Sequence, residues 1–439
     1  MLKVEGVGFS VLGLARTGVA ASNYLARHGG DVLASDPKPR ESLPIADLHP
    51  NVTVVDSRNE VREGDIVIIS PGIRPGSPTW KLAHEKGSQV WSDVELFYLL
   101  SPAPIIAITG TDGKSTTTAL IGKLLESAGI HTYVGGNIGW GCMDGLDSLT
   151  KDSVAVLEVS CFQLSHCQAL RPAVAIVTNI AEDHLDYYGG LDAYIEAKKR
   201  VFQNMGPGDR LVLNGDDPVV SAFLPPDGVQ TLRFGWTPGR AAWCDRRAVH
   251  VDFDRCQLVL PLDELKLQGL HNAENVMSAL VAILGRFVDF PTVYPALRGF
   301  PGLEHRMEYV TQVDGRTFFN DTKATNPHAA SAVLRAFDEP FVLIAGGYDK
   351  GSDFNEFGKL IAQRTSAVVL CGATRHRIEE TIPEGHPVTL VAGLEEAVQK
   401  AFELAKPGQR VILAPACASF DEFSDFEARG HAFKQWVHA

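Results

Sequence analysis

The sequence predicts an α/β protein of three domains: an N-terminal Rossmann-like domain, a central P-loop ATPase-type domain with a mostly parallel sheet, and a C-terminal Rossmann-like domain. Three observations carry that prediction. Apolar runs of strand length alternate with helical pattern along most of the chain. A turn bearing glycines and a lysine stands between one such strand and a helix. The alternation breaks at 99–104, "LLSPAP", and opens again after "FPGLEHRME". The predicted boundaries are 1–98, 99–302 and 303–439, and 439 residues suit a prior of roughly 150 per domain.

The first hundred residues read strand, helix, strand: "GFSVLGL", "GVAASNYLARHG", "DVLASD", then "DIVIISPG" and "SPTWKLAHEKG". "GLARTG", 13–18, is an imperfect dinucleotide fingerprint that brings forward Gly13, Leu14, Ala15 and Arg16. Asp36 falls at the end of the next strand, where a ribose-binding acid would stand. By itself the pattern is equally a tight strand-to-helix turn.

The stretch "ITGTDGKSTTTAL" is more specific. Gly110 and Gly113 permit backbone conformations that turn successive N–H groups toward one centre. Thr111 and Asp112 lie between them, so the loop is a contracted form of the usual pattern. Lys114 adds a point charge, Ser115 or Thr116 can hold magnesium, and Thr117 follows on a helix whose N-terminus favours an anion. The bland alternative is a glycine turn with a chance lysine. The flanking "PIIAI" and "TTTALIGKLLESAG" favour a polyphosphate site.

"SVAVLEVS" and "AVAIVTNI" are near-continuous apolar runs typical of parallel strands buried on both faces. Both end in polar groups, which predicts Glu158, Ser160, Thr178 and Asn179 in the crevice of the phosphate loop. A carboxylate ending such a strand needs a cation, either magnesium or a lysine. Asp183, His184 and Asp186 follow in an acidic loop, and Lys198 and Lys199 on a helix. Their chemistry alone leaves a cap and solvent-facing cations as open as function. The segment 215–267 reads as minor antiparallel strands, "HNAENVMSALVAILG" as an amphipathic helix, and the remainder again as strand-helix alternation.

A formal net charge of -13 offers no basic face for nucleic acid or anionic lipid, so small-molecule partners are expected. The N-terminus lacks a cationic leader with an apolar core, and no 18 apolar residues run together. A cytoplasmic protein with no nucleic-acid or membrane partner is expected, and a monomer. The seven cysteines show neither zinc spacing nor a disulfide framework and read as buried thiols.

Taken together, the short phosphate loop from Gly110 to Ser115, "LEVSCFQL", "TNIAEDHLD", "AKKRVF", "HNAENV", "GLEHRME", "NDTKATNP", "GGYDKG" and "APACASFDEF" resemble, in order, the motifs of the Mur ligase family. The resemblance spans nearly the whole chain. It implies ATP with two magnesium ions, a nucleotide-linked substrate, UDP-N-acetylmuramoyl-L-alanine, and an amino acid, D-glutamate, joined through an acyl phosphate. On this resemblance the first domain holds the uridine nucleotide at Gly13 to Arg16, Asp36 and Gly72. Asn137 and His184 fall on substrate positions, Glu158 and His184 on magnesium positions beside the Ser115 hydroxyl, and Asn275, Arg306 and Asp321 on nucleotide positions. Lys198 matches a lysine carried as a carbamate, an anion able to hold the second metal. Lys323, Thr325, Lys350, Ser419 and Phe426 match positions around D-glutamate. Asp112 departs from the asparagine usual there. A folylpolyglutamate synthase or another member of the family is the near alternative; a nucleotide-binding switch or transport ATPase is the distant one.

Overall fold

The computed structural model describes residues 2–138, 141–181, 185–267, 269–335, 337, 339–348 and 351–438. Among them the strands form three sheets, and the chain divides into two compact units. Residues 1–265 with 270–300 make the first, and 266–269 with 301–439 the second.

The first unit opens with β1 (Gly8–Leu12), β2 (Asp31–Ser35), β3 (Thr53–Val55), β4 (Ile66–Ile69) and β5 (Gln89–Trp91). They pair in the order β3-β2-β1-β4-β5, all parallel. The winding reverses between β1 and β4, so the crevice of this sheet lies where the chain leaves β1 into α1 (Arg16–Arg27). From β5 the chain enters α2 (Asp93–Leu100), capped by Ser92, whose hydroxyl accepts from Glu95 N–H (3.3 Å).

A nine-stranded sheet follows: β6 (Ile105–Thr109), β7 (Thr132–Gly136), β8 (Val154–Glu158), β9 (Val174–Val177), β10 (Arg210–Asn214), β11 (Gln230–Gly235), β12 (Ala242–Cys244), β13 (Ala248–Phe253) and β14 (Cys256–Pro261). Its order is β14-β13-β12-β11-β10-β9-β6-β8-β7. The strands flanking β6 are buried throughout, which is why they read as continuous apolar runs. The 215–267 segment differs from the expected set of antiparallel strands. β11 and β12 extend the sheet in parallel, and only β12–β13 and β13–β14 are antiparallel. Alternation along a strand reports which face is buried, not the direction of its neighbour. Helices α3 (Lys114–Ser127), α4 (Leu191–Lys199) and α5 (Leu270–Ile283) belong to this sheet. Arg210, at the start of β10, donates to the carbonyls of Val281 (3.0 Å) and Leu284 (2.9 Å), satisfying the end of α5.

The two sheets of this unit share one continuous apolar core, from Phe9 and Phe97 to Leu157 and Leu213. Polar groups stitch the same boundary. Glu95 accepts from the N–H groups of Ala169 (2.6 Å) and Leu170 (3.0 Å), and Gln163 Nε2 donates to Asp93 (3.0 Å).

The second unit contains β15 (Glu308–Val313), β16 (Arg316–Asn320), β17 (Phe341–Gly346), β18 (Thr365–Cys371), β19 (Val388–Leu390) and β20 (Arg410–Leu413), in the order β15-β16-β20-β17-β18-β19. β15 is antiparallel to β16 and the remaining pairs are parallel. Apolar clusters form around Phe341 and Leu343 and around Val342 and Ile344, alternate residues of β17 and hence opposite faces. The chain closes with α6 (Phe426–His438). All seven cysteines are free thiols, six of them buried. Among the described residues no helix is long and apolar enough to cross a membrane.

Candidate functional site

The phosphate loop leaves β6 and enters α3. Gly110 has φ +142° and Gly113, at the helix N-cap, φ +81°. A side chain is disfavoured at both for a second reason. A Cβ on Gly110 would overlap the Thr178 hydroxyl, and one on Gly113 the Asn275 side-chain oxygen. The loop is held from the end of β9. Thr178 Oγ1 donates to Asp112 C=O (2.6 Å), Asp112 N–H to Asn179 Oδ1 (2.8 Å), and Thr111 N–H to Asn179 C=O (2.9 Å). Asp112 therefore serves the loop through its main chain, and its side chain is exposed. Thr111 Oγ1 meets Tyr194 Oη (3.0 Å) and accepts from Ala181 N–H (3.0 Å). Lys114 Nζ donates to the carbonyls of Gly110 (3.0 Å) and Thr111 (2.5 Å), which folds it over the loop. Ser115, Thr116 and Thr117 are buried in the first turn of α3. Thr117 Oγ1 donates to Asn275 Oδ1 (3.2 Å), bringing α5 to the same place.

Glu158 ends β8, beside β6, and is 3% exposed. Its Oε1 accepts from Asn137 Nδ2 (2.9 Å), while its buried Oε2 has no hydrogen-bond partner. An orphaned carboxylate oxygen near a phosphate loop suits a cation ligand, so the residues fit magnesium with Ser115 and Glu158 as protein donors. Lys198, on α4, is 2% exposed; its Nζ donates to Gly110 C=O (2.6 Å) and lies 4.6 Å from the Tyr194 ring centroid. The structure thus gathers Gly110 to Thr117, Lys198 and Asn275 around one loop, with Asn137 and Glu158 on the adjoining strand ends. His184 and Asp183 lie outside the described residues.

At the first sheet, Asp36 Oδ2 accepts from Leu14 N–H (2.8 Å) and Oδ1 from Lys38 N–H (3.0 Å), so the acid holds the fingerprint turn in place. Ala15 is the N-cap of α1 and Arg16 its exposed first residue. Gly72 stands just beyond β4, and nothing comes within 4 Å of a Cβ built there. Gly13 to Arg16, Asp36 and Gly72 thus gather at the carboxyl ends of β1, β2 and β4.

In the second unit, loops after β16, β17 and β20 meet. Asp321 follows β16, and Met307 N–H donates to its Oδ1 (2.9 Å). Burial pushes the Asp321 carboxyl up to about 6, against that N–H and the charges of Arg306 and Lys323. Lys323 and Thr325 are on the same loop, Thr325 N–H bonding to Lys323 C=O (2.8 Å). Ser419 is buried on the loop after β20, and Phe426 begins α6. Lys350 lies outside the described residues. Arg429, which the sequence reading missed, joins these loops. Its guanidinium is buried and donates to Thr322 Oγ1 (2.8 Å), Thr322 C=O (3.0 Å), Cys417 C=O (3.0 Å) and Ala418 C=O (3.0 Å). Nothing in "FEARGHAF" distinguishes this arginine from a solvent-facing one. Tyr194 was missed likewise.

Family models match two stretches: Mur ligase middle domain over residues 108–283, and Mur ligase, glutamate ligase domain over 305–417. The UDP-N-acetylmuramoylalanine–D-glutamate ligase of Symbiobacterium thermophilum is 38% identical over 98% of this chain and 97% of its own length. That of Pelotomaculum thermopropionicum is 38% identical over 97% and 96%. Among solved structures, the UDP-N-acetylmuramate-alanine ligase of Thermotoga maritima shares the fold at TM-score 0.61 and 19% identity, covering 98% of this chain and 99% of that one. A MurF ligase from the same organism, in complex with ADP, aligns at TM-score 0.57 and 17% identity over 86% and 96%.

Proposed function

This chain belongs to the Mur ligase family, and from that premise we infer how its residues carry out the reaction. It is an ATP-dependent ligase that adds D-glutamate to UDP-N-acetylmuramoyl-L-alanine, giving ADP and phosphate, in the cytoplasmic synthesis of peptidoglycan precursors. The three domains of our reading, 1–98, 99–302 and 303–439, then bind the uridine nucleotide, ATP and D-glutamate.

The L-alanine carboxylate attacks the γ-phosphorus of ATP and ADP leaves, forming an acyl phosphate. The D-glutamate amine then attacks the acyl carbon, phosphate leaves, and the amine proton is lost. Both reactants of the first step are anions, so catalysis consists mostly of positioning and charge neutralisation. Lys114 exchanges its two carbonyl partners for phosphate oxygens, and the loop N–H groups between Gly110 and Ser115 receive the remainder. Asn275, Arg306 and Asp321 hold the nucleotide. Ser115, Glu158, His184 and a carbamylated Lys198 hold two magnesium ions, which supply neutralisation of the phosphate charge. The carbamate forms when the neutral Lys198 amine adds to carbon dioxide and loses a proton. The nitrogen keeps one N–H, enough for the bond to Gly110 C=O. Asn137 and His184 orient the muramoyl-alanine end. Lys323, Lys350, Thr325, Ser419 and Phe426 receive D-glutamate, whose two carboxylates call for cations and hydroxyls.

The observation that carries this reading is the lone buried Glu158 oxygen on the strand beside a Gly110–Lys114 cradle. The test is phosphate release and product mass with UDP-N-acetylmuramoyl-L-alanine, Mg-ATP and a panel of amino acids. Release is expected with D-glutamate and not with L-alanine, diaminopimelate or a folate acceptor. Release without any acceptor would point to an ATPase and refute the ligase.

A further inference from the structure

A second cluster of metal-binding side chains lies in the second unit, on residues other than those assigned above to magnesium. Glu304 and His305 precede β15, and His431 is on α6. Their ligand atoms lie within 4.8 Å of one another. His431 Nε2 is 3.2 Å and His305 Nε2 3.9 Å from Glu304 Oε1. His305 is 4% exposed, and its buried Nε2 has no hydrogen-bond partner. A buried imidazole nitrogen left unsatisfied costs free energy unless something fills the space it faces. The space it faces holds a carboxylate and a second imidazole.

We propose that Glu304, His305 and His431 form a binding site for a divalent transition cation, zinc by preference. Two imidazoles and one carboxylate suit zinc and are a poor set for magnesium, which takes oxygen donors. Tetrahedral zinc with bonds of about 2.0–2.1 Å places its donors roughly 3.3–3.5 Å apart; the two contacts of Glu304 Oε1 stand at 3.2 and 3.9 Å, and all three ligand atoms lie within 4.8 Å of one another. Closing around an ion asks the donors to draw together, chiefly by rotation of the exposed Glu304 and His431 side chains.

The surrounding groups accommodate the ion. Lys434 bridges Glu304 Oε1 and Glu308 Oε1, the latter at 3.0 Å, so it keeps Glu308 when Glu304 turns to a metal. His305 Nδ1 lies 3.0 Å from Asn320 Nδ2 and 3.7 Å from Glu308 Oε2. Metal on Nε2 moves the ring proton to Nδ1. Glu308 Oε2, at 3.7 Å, closes to accept it as the outer carboxylate of a carboxylate–histidine–metal arrangement, and Asn320 Nδ2, itself a donor, gives up its contact with Nδ1. Asn320 Nδ2 retains Glu308 Oε2 (3.0 Å). A hollow of about 430 Å³ lined by His431, Lys434, Gln435 and His438 opens beside the cluster, sharing His431 with it. A bound ion would tie α6 to the segment carrying Arg306, and so fix the approach of that arginine to its ligand.

The test uses the full-length protein stripped with a chelator, titrated with zinc alone against a competing indicator, and with cobalt followed by visible absorption. One zinc per chain is expected at this site, with a cobalt spectrum of low coordination number. His431→Ala and Glu304→Gln change exposed side chains, and each should weaken zinc by at least about tenfold and remove the cobalt bands. His376→Ala, on another helix, should change neither. No zinc bound, unchanged affinity in the first two variants, or equal weakening in His376→Ala overturns the proposal.

Discussion

Two single side chains show how far a residue's role depends on what surrounds it. Lys198 reads in sequence as a helix lysine, but it is almost fully buried, with Gly110 C=O as a partner. Lys198→Ala should cut kcat by at least about a thousandfold, with circular dichroism and thermal unfolding close to wild type. Retained turnover would remove the carbamate from the mechanism. Asp321 is the opposite case, a buried acid whose carboxyl sits at about 6. Between its unfolded value near 4 and 6, the folded protein binds more protons than the unfolded chain, so its contribution to stability falls as pH rises through that window. The loss reaches on the order of 3 kcal/mol above pH 6. Asp321→Asn keeps an oxygen for the Met307 N–H and should flatten this slope in denaturant melts from pH 4 to 6. An unchanged slope would mean that other groups set it. Because Asp321 is proposed to hold the nucleotide, the same variant should also weaken ATP.

At the scale of elements, the phosphate loop is the clearest joint between sequence and chemistry. Gly113→Ala asks for a left-handed residue with a Cβ inside the contact distance of Asn275. It should raise the KM for ATP by at least about tenfold, with the KM for D-glutamate little changed, because the loop and the D-glutamate positions lie on different strands. Equal effects on both would show that the damage is to the fold. The loop was legible because strand, glycines, lysine and helix are contiguous in sequence. The hairpin of β15 and β16 carried a comparable signal, the Asp314–Gly315 turn with Asp314 at φ +46°, and the sequence reading passed over it. The direction of β11 and β12 was not legible. Pairing direction depends on the path of the connection, and the alternating residues of a strand carry no record of it.

For the whole molecule, strand-helix alternation and apolar content were enough to predict parallel α/β sheets and their approximate number, because burial on both faces demands long apolar runs. They did not reveal that the first two sheets share one core, or that Glu95 and Asp93 bind the 160–170 segment. Those are contacts between residues about seventy positions apart, and no local pattern encodes them. The sequence by itself determined the fold class, the phosphate loop, the strand-end polar residues and the order of motifs, all properties of neighbouring residues. Only the tertiary structure decided that Lys198 is buried against the loop, that Arg429 knots two loops together, and that His305 faces His431 with an unsatisfied nitrogen. Each of these turns on which distant side chain fills the adjacent space. That is settled by packing, where an unpaired polar group is costly, and not by propensity.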